Sequence, residues 1–299
     1  MRISILACLM VLSTKSIACD ICGGVNSNAS IGLFASTKFH TLGFRSSYRS
    51  FSTYMNGVRH SREYLFGQEV QYRTQIHSRI QLMGSIPYQS AIQNRDFGSD
   101  FISGIGDPII ISNFILLQNR DSNGVSKNFL SLGIGLKAPL GKSAENSNAL
   151  KNLFPGTGSW DYLLLSNYTH QFAKSWGWQT EFSYSFKGKD SFGFQYGNSF
   201  QSASQAFRNF KITSYRLIAA AGMNFEHHAN SRLNGLATIG KTNDGIILSS
   251  RASINLLTYR WLYSINIQNP LYQNLNEGSI RQKVSASVSI SYLFKTSKK

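Results

Sequence analysis

Charge is scarce in this sequence of 299 residues, and acidic charge scarcest, with 14 Asp and Glu against 30 Lys and Arg. Charged residues reach 15 %, where a soluble domain carries about 25 %. That shortage speaks against a cytosolic enzyme. The formal net charge of +16 invites a nucleic-acid partner. Yet the lysines and arginines are scattered and form no basic helix or helix-turn-helix pattern, so no nucleic-acid partner is expected. Long apolar runs are missing too. Beyond the first segment none reaches roughly 18 residues, which argues against transmembrane helices. Proline occurs only 5 times, so little interrupts extended strands. No G-x-S-x-G elbow is present, and the glycines of GIGDP at 104–108 lead into a strand pattern rather than a helix. Neither a nucleophile elbow nor a phosphate loop is indicated.

Aromatic residues, in contrast, are plentiful at 13 %, with 20 Phe and 14 Tyr. The most informative stretch is RQKVSASVSISYLF at 281–294. Val284, Ala286, Val288, Ile290, Tyr292 and Phe294 alternate there with Lys283, Ser285, Ser287, Ser289 and Ser291. Side chains of a strand point to opposite faces in turn, so one face is apolar and the other small and polar. A strand crossing an outer membrane needs about 9–11 residues with that pattern and an aromatic at the rim. Phe294, five residues from the end, resembles the closing aromatic of such barrels.

Residues 1–18 read as a secretory signal peptide. Arg2 supplies the positive start, residues 3–12 the apolar region, and Ser16-Ile17-Ala18 a small-x-small cleavage site. Cleavage removes Cys8 and leaves Cys19-Asp20-Ile21-Cys22 at the mature start. For Cys19 and Cys22 three readings compete. One is a local disulfide in an oxidising compartment. The second is a soft-metal site needing further ligands. The third is a redox centre, which lacks its βαβ context.

From 42 onward, alternation and turn signals predict about twelve strands: 42–52, 64–75, 78–88, 106–117, 128–140, 160–172, 176–187, 210–226, 232–241, 246–257, 259–269 and 281–294. Connections alternate in length, with longer ones after odd strands, at 53–63, 89–105, 141–159 and 188–209. Long extracellular loops, short periplasmic turns and an even count predict an all-β fold, an antiparallel transmembrane β-barrel of the Gram-negative outer membrane. The expected organisation is a signal peptide (1–18), a CxxC segment (19–41) lying inside or below the barrel, and the barrel itself (42–299).

Arg45, Arg49, Arg73, Arg79 and Arg216, with Glu69 and Glu181, fall on faces assigned to the lumen. On the lipid face an Arg at mid-depth costs about 2–4 kcal/mol. The same residues fit two roles, an arginine-lined passage for anionic or polar solutes or a salt-bridge network filling a closed barrel. Trp160, Trp176, Trp178 and Trp261 read as interfacial girdle residues. His227 and His228 read as a solvated pair in a short turn. No catalytic residue, cofactor or enzyme activity is assigned. The expected partners are the lipid bilayer, a small solute and, through the CxxC segment, a periplasmic protein linked to metal handling.

Several motifs carry a resemblance: CDICGG at the mature start, YRSF at 48–51, GIGDP at 104–108, KAPLGK at 137–142 and FPGTGSWDYLL at 154–164. Their order resembles uncharacterised outer-membrane "transporter" proteins, related to the barrel family named for the meta-pathway of phenol degradation. Members often read CDICGC, and Gly24 here replaces the third cysteine, which weakens a metal-ligand reading. The resemblance implies a β-barrel passing small, including hydrophobic, molecules.

Overall fold

The computed structural model describes residues 39–95, 98–120, 126–144, 153–173, 175–212, 214–238 and 244–295. Three long strands open the chain, β1 (Phe39–Met55), β2 (Val58–His77) and β3 (Ile80–Arg95). Strand β4 comes in two pieces, Gly98–Ile105 and Ile109–Arg120, bent at Gly106-Asp107-Pro108. There follow β5 (Ser126–Lys137), β6 (Asp161–His170), β7 (Trp176–Phe186) and β8 (Ser199–Ile212). The set ends with β9 (Tyr215–His228), β10 (Gly245–Leu257), β11 (Trp261–Leu275) and β12, itself split into Ile280–Gln282 and Ser285–Lys295.

Each strand pairs antiparallel with its neighbour in sequence, and β12 returns to β1 in a ladder from Phe39↔Lys295 to Tyr48↔Ala286. The twelve strands therefore close into a barrel. Closure is what lipid demands, because each unpaired backbone group there costs several kcal/mol.

Burial is inverted relative to a soluble protein. Leu42, Phe44, Val70, Ile110, Ile134, Leu164, Ile265 and Val288 are exposed on the outer face, while Gln179, Asn224 and Ser249 are fully buried inside. Alternation produces this directly, since an apolar outer row and a polar inner row are the two faces of the same strands. Aromatics gather near both ends of the wall. Trp176, Trp178, Trp261 and Phe294 lie by the short turns, and Trp160, Tyr162, Phe186 and Tyr272 near the other end, all exposed. They form the interfacial girdles expected of such a wall.

Both ends of the described barrel, Phe39 and Lys295, lie at the short-turn end, because the strand count is even. At the other end run the long connections 138–160, 187–198 and 229–244. Two expected long loops are instead strand. β1, β2 and β3 span 17, 20 and 16 residues, far beyond what a bilayer needs, so 53–63 and 89–105 are extended hairpins rising past the wall. The first turns on Asn56-Gly57, both at positive φ (50° and 78°), which suits the right-handed twist of its strands.

The count of twelve holds, but one strand is displaced. The expected strand at 232–241 contributes only the two-residue strands Arg232–Leu233 and Leu236–Ala237, in a small loop sheet with Phe194–Gln195. The barrel position is taken by β8, most of which lies in 188–209, the segment read as a loop. The middle of its outer row, Ser202, Ser204 and Ala206, is too small and polar to register as lipid-facing. As a result His227 and His228 end β9 rather than forming a short turn.

Candidate functional site

The inner rows of the strands stack into three levels. Next to the long loops lies an apolar roof of Phe51, Leu65, Ala91, Ile247, Leu275 and Ile280, joined by Leu153 from the 138–160 connection. At the short-turn end lies a second apolar cluster, Phe207, Ile218, Ala220, Leu262 and Leu293. Between them the interior is polar and charged except on the β3–β6 side, where Met83, Ile111, Leu163 and Leu165 form a third apolar cluster.

In this middle level Arg45 of β1 pairs with Glu69 of β2 at 3.1 Å. Arg251 of β10 meets Glu181 of β7 at 3.6 Å, with β8 and β9 intervening in the wall. Only side chains pointing into the lumen can make that contact. Glu181 also accepts from Asn167 (3.1 Å) and Gln179 (2.8 Å), and Gln179 accepts from Gln205 (2.8 Å). Beside them Asn224 donates to Glu226 at 2.7 Å. Each buried carboxylate thus has a cation or amide donors, the condition under which burial of charge is tolerated.

One side of this level is open space. Arg45, Arg49 and Arg251 line a cavity with Gln89, Asn266 and Gln268, and Leu65 and Ala91 of the roof border it. Its wall rows beside β1 are small, at Ser47, Gly67, Ser285 and Ser287, which is why room remains. Three guanidiniums border this one void, with Glu69 on Arg45, Glu181 on Arg251 and Glu226 in electrostatic contact with Arg49.

The structure brings together Arg45, Arg49, Glu69 and Glu181 from the sequence-based set. Arg73 is inward and buried nearer the short turns. Arg216 shares the inner row of Ile218 at the rim, half-buried. Arg79 is a correction: it occupies the exposed two-residue turn between β2 and β3, outside any strand face. Turn residues carry no face, so alternation misplaced it by extending β3 through the turn. Arg251 was missed, although Ser249, Arg251, Ser253 and Asn255 alternate visibly with Leu248, Ser250, Ala252 and Ile254. Cys19 and Cys22 lie outside the described residues.

Three of the quoted motifs meet in a second, buried network. Lys137 Nζ contacts Asp107 Oδ2 at 3.3 Å and Asp161 Oδ2 at 2.6 Å, and Lys187 Nζ contacts Asp161 at 3.2 Å. The Thr157 and Gly141 amides donate to Asp107 at 2.8 and 3.0 Å. Glycine is needed where the motifs cross: a Cβ on Gly141 would stand 2.5 Å from the Gly106 carbonyl carbon. This clasp fixes both flanks of the connection that carries Leu153 into the roof.

No protein-family profile matches the chain, and no curated protein does. Among solved structures it is similar to an outer membrane channel from Pseudomonas putida F1, with a TM-score of 0.66 and 15 % identity over 86 % of this chain and 96 % of that one. It is also similar to the beta domain of the Bordetella autotransporter BrkA, with a TM-score of 0.54 and 10 % identity over 86 % of this chain and 100 % of that one. At such identities the likeness is one of fold. The chain has the closed, antiparallel, twelve-stranded architecture of outer-membrane β-barrels.

Proposed function

We propose that this barrel is an outer-membrane channel for small solutes, with a narrow arginine-bearing chamber that favours anionic or polar ones. The observation that carries this reading is the convergence of Arg45, Arg49 and Arg251 on one cavity within a closed barrel. Rings of cationic side chains set anion preference in pores. The similar barrel from Pseudomonas putida F1 is described as an outer membrane channel, which supports the same class. The test is single-channel conductance of the refolded, full-length mature protein in a planar bilayer. Anion-selective steps are expected. Arg49→Gln, which leaves the Arg45–Glu69 pair intact, should move the reversal potential in a salt gradient toward zero. Unchanged selectivity would remove Arg49 from the lining role.

A second reading is a closed barrel with a structural or partner-binding role, engaging a periplasmic protein in metal handling through Cys19 and Cys22. The apolar clusters on both sides of the chamber favour it. A folded but electrically silent barrel would support this reading over the first.

A further inference from the structure

The barrel wall is not uniformly zipped. β11 and β12 are in register from Trp261↔Tyr292 to Gln268↔Ser285, and they meet again only at Leu275↔Ile280. Between those points residues 269–274 of β11 face 281–284 of β12, six against four, and no ladder joins them. β11 remains fully paired to β10 on its other side through one bulge, and β12 stays attached to β1 through a one-residue shift. Shorter breaks separate 49–50 from 283–285 between β1 and β12, and 86–87 from 106–108 between β3 and β4, so this gap is the longest in the described wall.

Several backbone groups of its two strands are engaged by the outer neighbours instead. Pro270 has no N–H to offer. The Lys283 N–H donates to Ser50 O of β1 at 2.9 Å, and Asn269 O accepts from the Ser250 hydroxyl at 3.2 Å. One side chain bridges the gap. Gln273 accepts from the Gln282 N–H at 2.7 Å and donates to the Gln282 carbonyl at 3.0 Å, copying with its amide the pair of bonds a neighbouring strand would make. A strand ladder opens only by losing many bonds together, whereas this bridge opens by a rotamer change.

The seam also joins two different environments. Its inner border, Gln268 and Ser285, belongs to the arginine chamber. Its outer lips, Leu271, Tyr272 and Val284, are exposed and apolar. They lie at the long-loop end, near Tyr48 and Phe66 on the outer face, where the extracellular leaflet meets an outer-membrane wall.

We propose that this seam is a lateral port between the arginine chamber and the outer leaflet, latched by Gln273, which passes amphipathic organic anions. The arginines receive the acidic group while the apolar body slides between Leu271 and Val284. The proposal rests on the channel reading above and adds to it a substrate class and a route.

The experiment uses the full mature chain in phosphatidylcholine vesicles, with Cys19→Ser and Cys22→Ser throughout, and follows two signals. Anilinonaphthalene sulfonate, an aromatic anion that fluoresces in lipid, reports crossing to the inner leaflet. Chloride conductance reports the aqueous path. Gln273→Ala should speed dye crossing by about fivefold, the shift expected from one net hydrogen bond. Gln273→Cys with Gln282→Cys, bridged by a cleavable bifunctional thiol reagent, should slow crossing to the protein-free rate, with recovery on reduction. Chloride conductance should persist in both. Dye crossing untouched by either change, with conductance intact, overturns the port and leaves the channel standing. Higher conductance in Gln273→Ala without faster dye crossing makes the seam a water leak and also overturns the port. An unmodified barrel showing neither signal overturns the channel reading, and the port with it.

Discussion

Arg251 reaches Glu181 across two intervening strands, and that contact ties non-adjacent strands of the wall through the lumen. Both groups are largely removed from water, Arg251 most of all. Breaking a buried pair costs more than the pair contributes, because the surviving charge is left without a counter-ion. Glu181→Gln should therefore destabilise the folded barrel by roughly 3 kcal/mol. Folding titrations in urea with lipid vesicles would measure it. A change below about 1 kcal/mol, the range of exposed pairs, would mean that water reaches Arg251 freely. At this scale the inner-face residues were legible where alternation was clean, as at Arg45, Arg49, Glu69 and Glu181. Arg79 was not legible, because a two-residue turn interrupts the period without any composition signal of its own.

At the scale of elements, the connection between β5 and β6 is held by the Asp107–Lys137–Asp161–Lys187 clasp rather than by strand pairing. Lys137 sits between two carboxylates, so Lys137→Met removes the cation common to both. The expected outcome is a loosened roof: faster cleavage of the 138–160 connection by protease added outside vesicles, and larger conductance fluctuations. Protection equal to the unaltered protein would show that the glycine crossing at Gly106 and Gly141 holds the connection unaided. The sequence displays the three motifs but not their meeting. They lie up to 50 residues apart, as in Thr157 to Asp107, and nothing local in any of them indicates the others. β8 failed to register for a different reason: Ser202, Ser204 and Ala206 give its lipid face too little apolar contrast.

For the whole molecule, the inverted burial pattern predicts a depth-dependent response on the outer face. Val288, exposed on the lipid-facing wall, should cost roughly 2–4 kcal/mol when replaced by Arg, whereas Phe294→Arg at the rim should cost about 0–1 kcal/mol. Equal costs at the two positions, measured by the same folding titration, would contradict the orientation of the wall in lipid. The hairpins of β1–β2 and β3–β4 rise past the membrane level, and shortening β2 above Glu63 should leave that difference unchanged.

The sequence by itself determined the wall. Period-two alternation is a local property, so each segment announces its own lipid face and lumen face, and an even number of such segments with uneven connections makes a barrel. Tertiary closure decided the interior. Which inner residues meet across the lumen depends on how every register adds up around the ring, and no single segment contains that sum. The Arg251–Glu181 pair, the three-motif clasp and the unzipped seam beside Gln273 all arise there. Pro270 was the one local sign of the seam, because a residue without an N–H is tolerated where a neighbouring strand makes no demand on it.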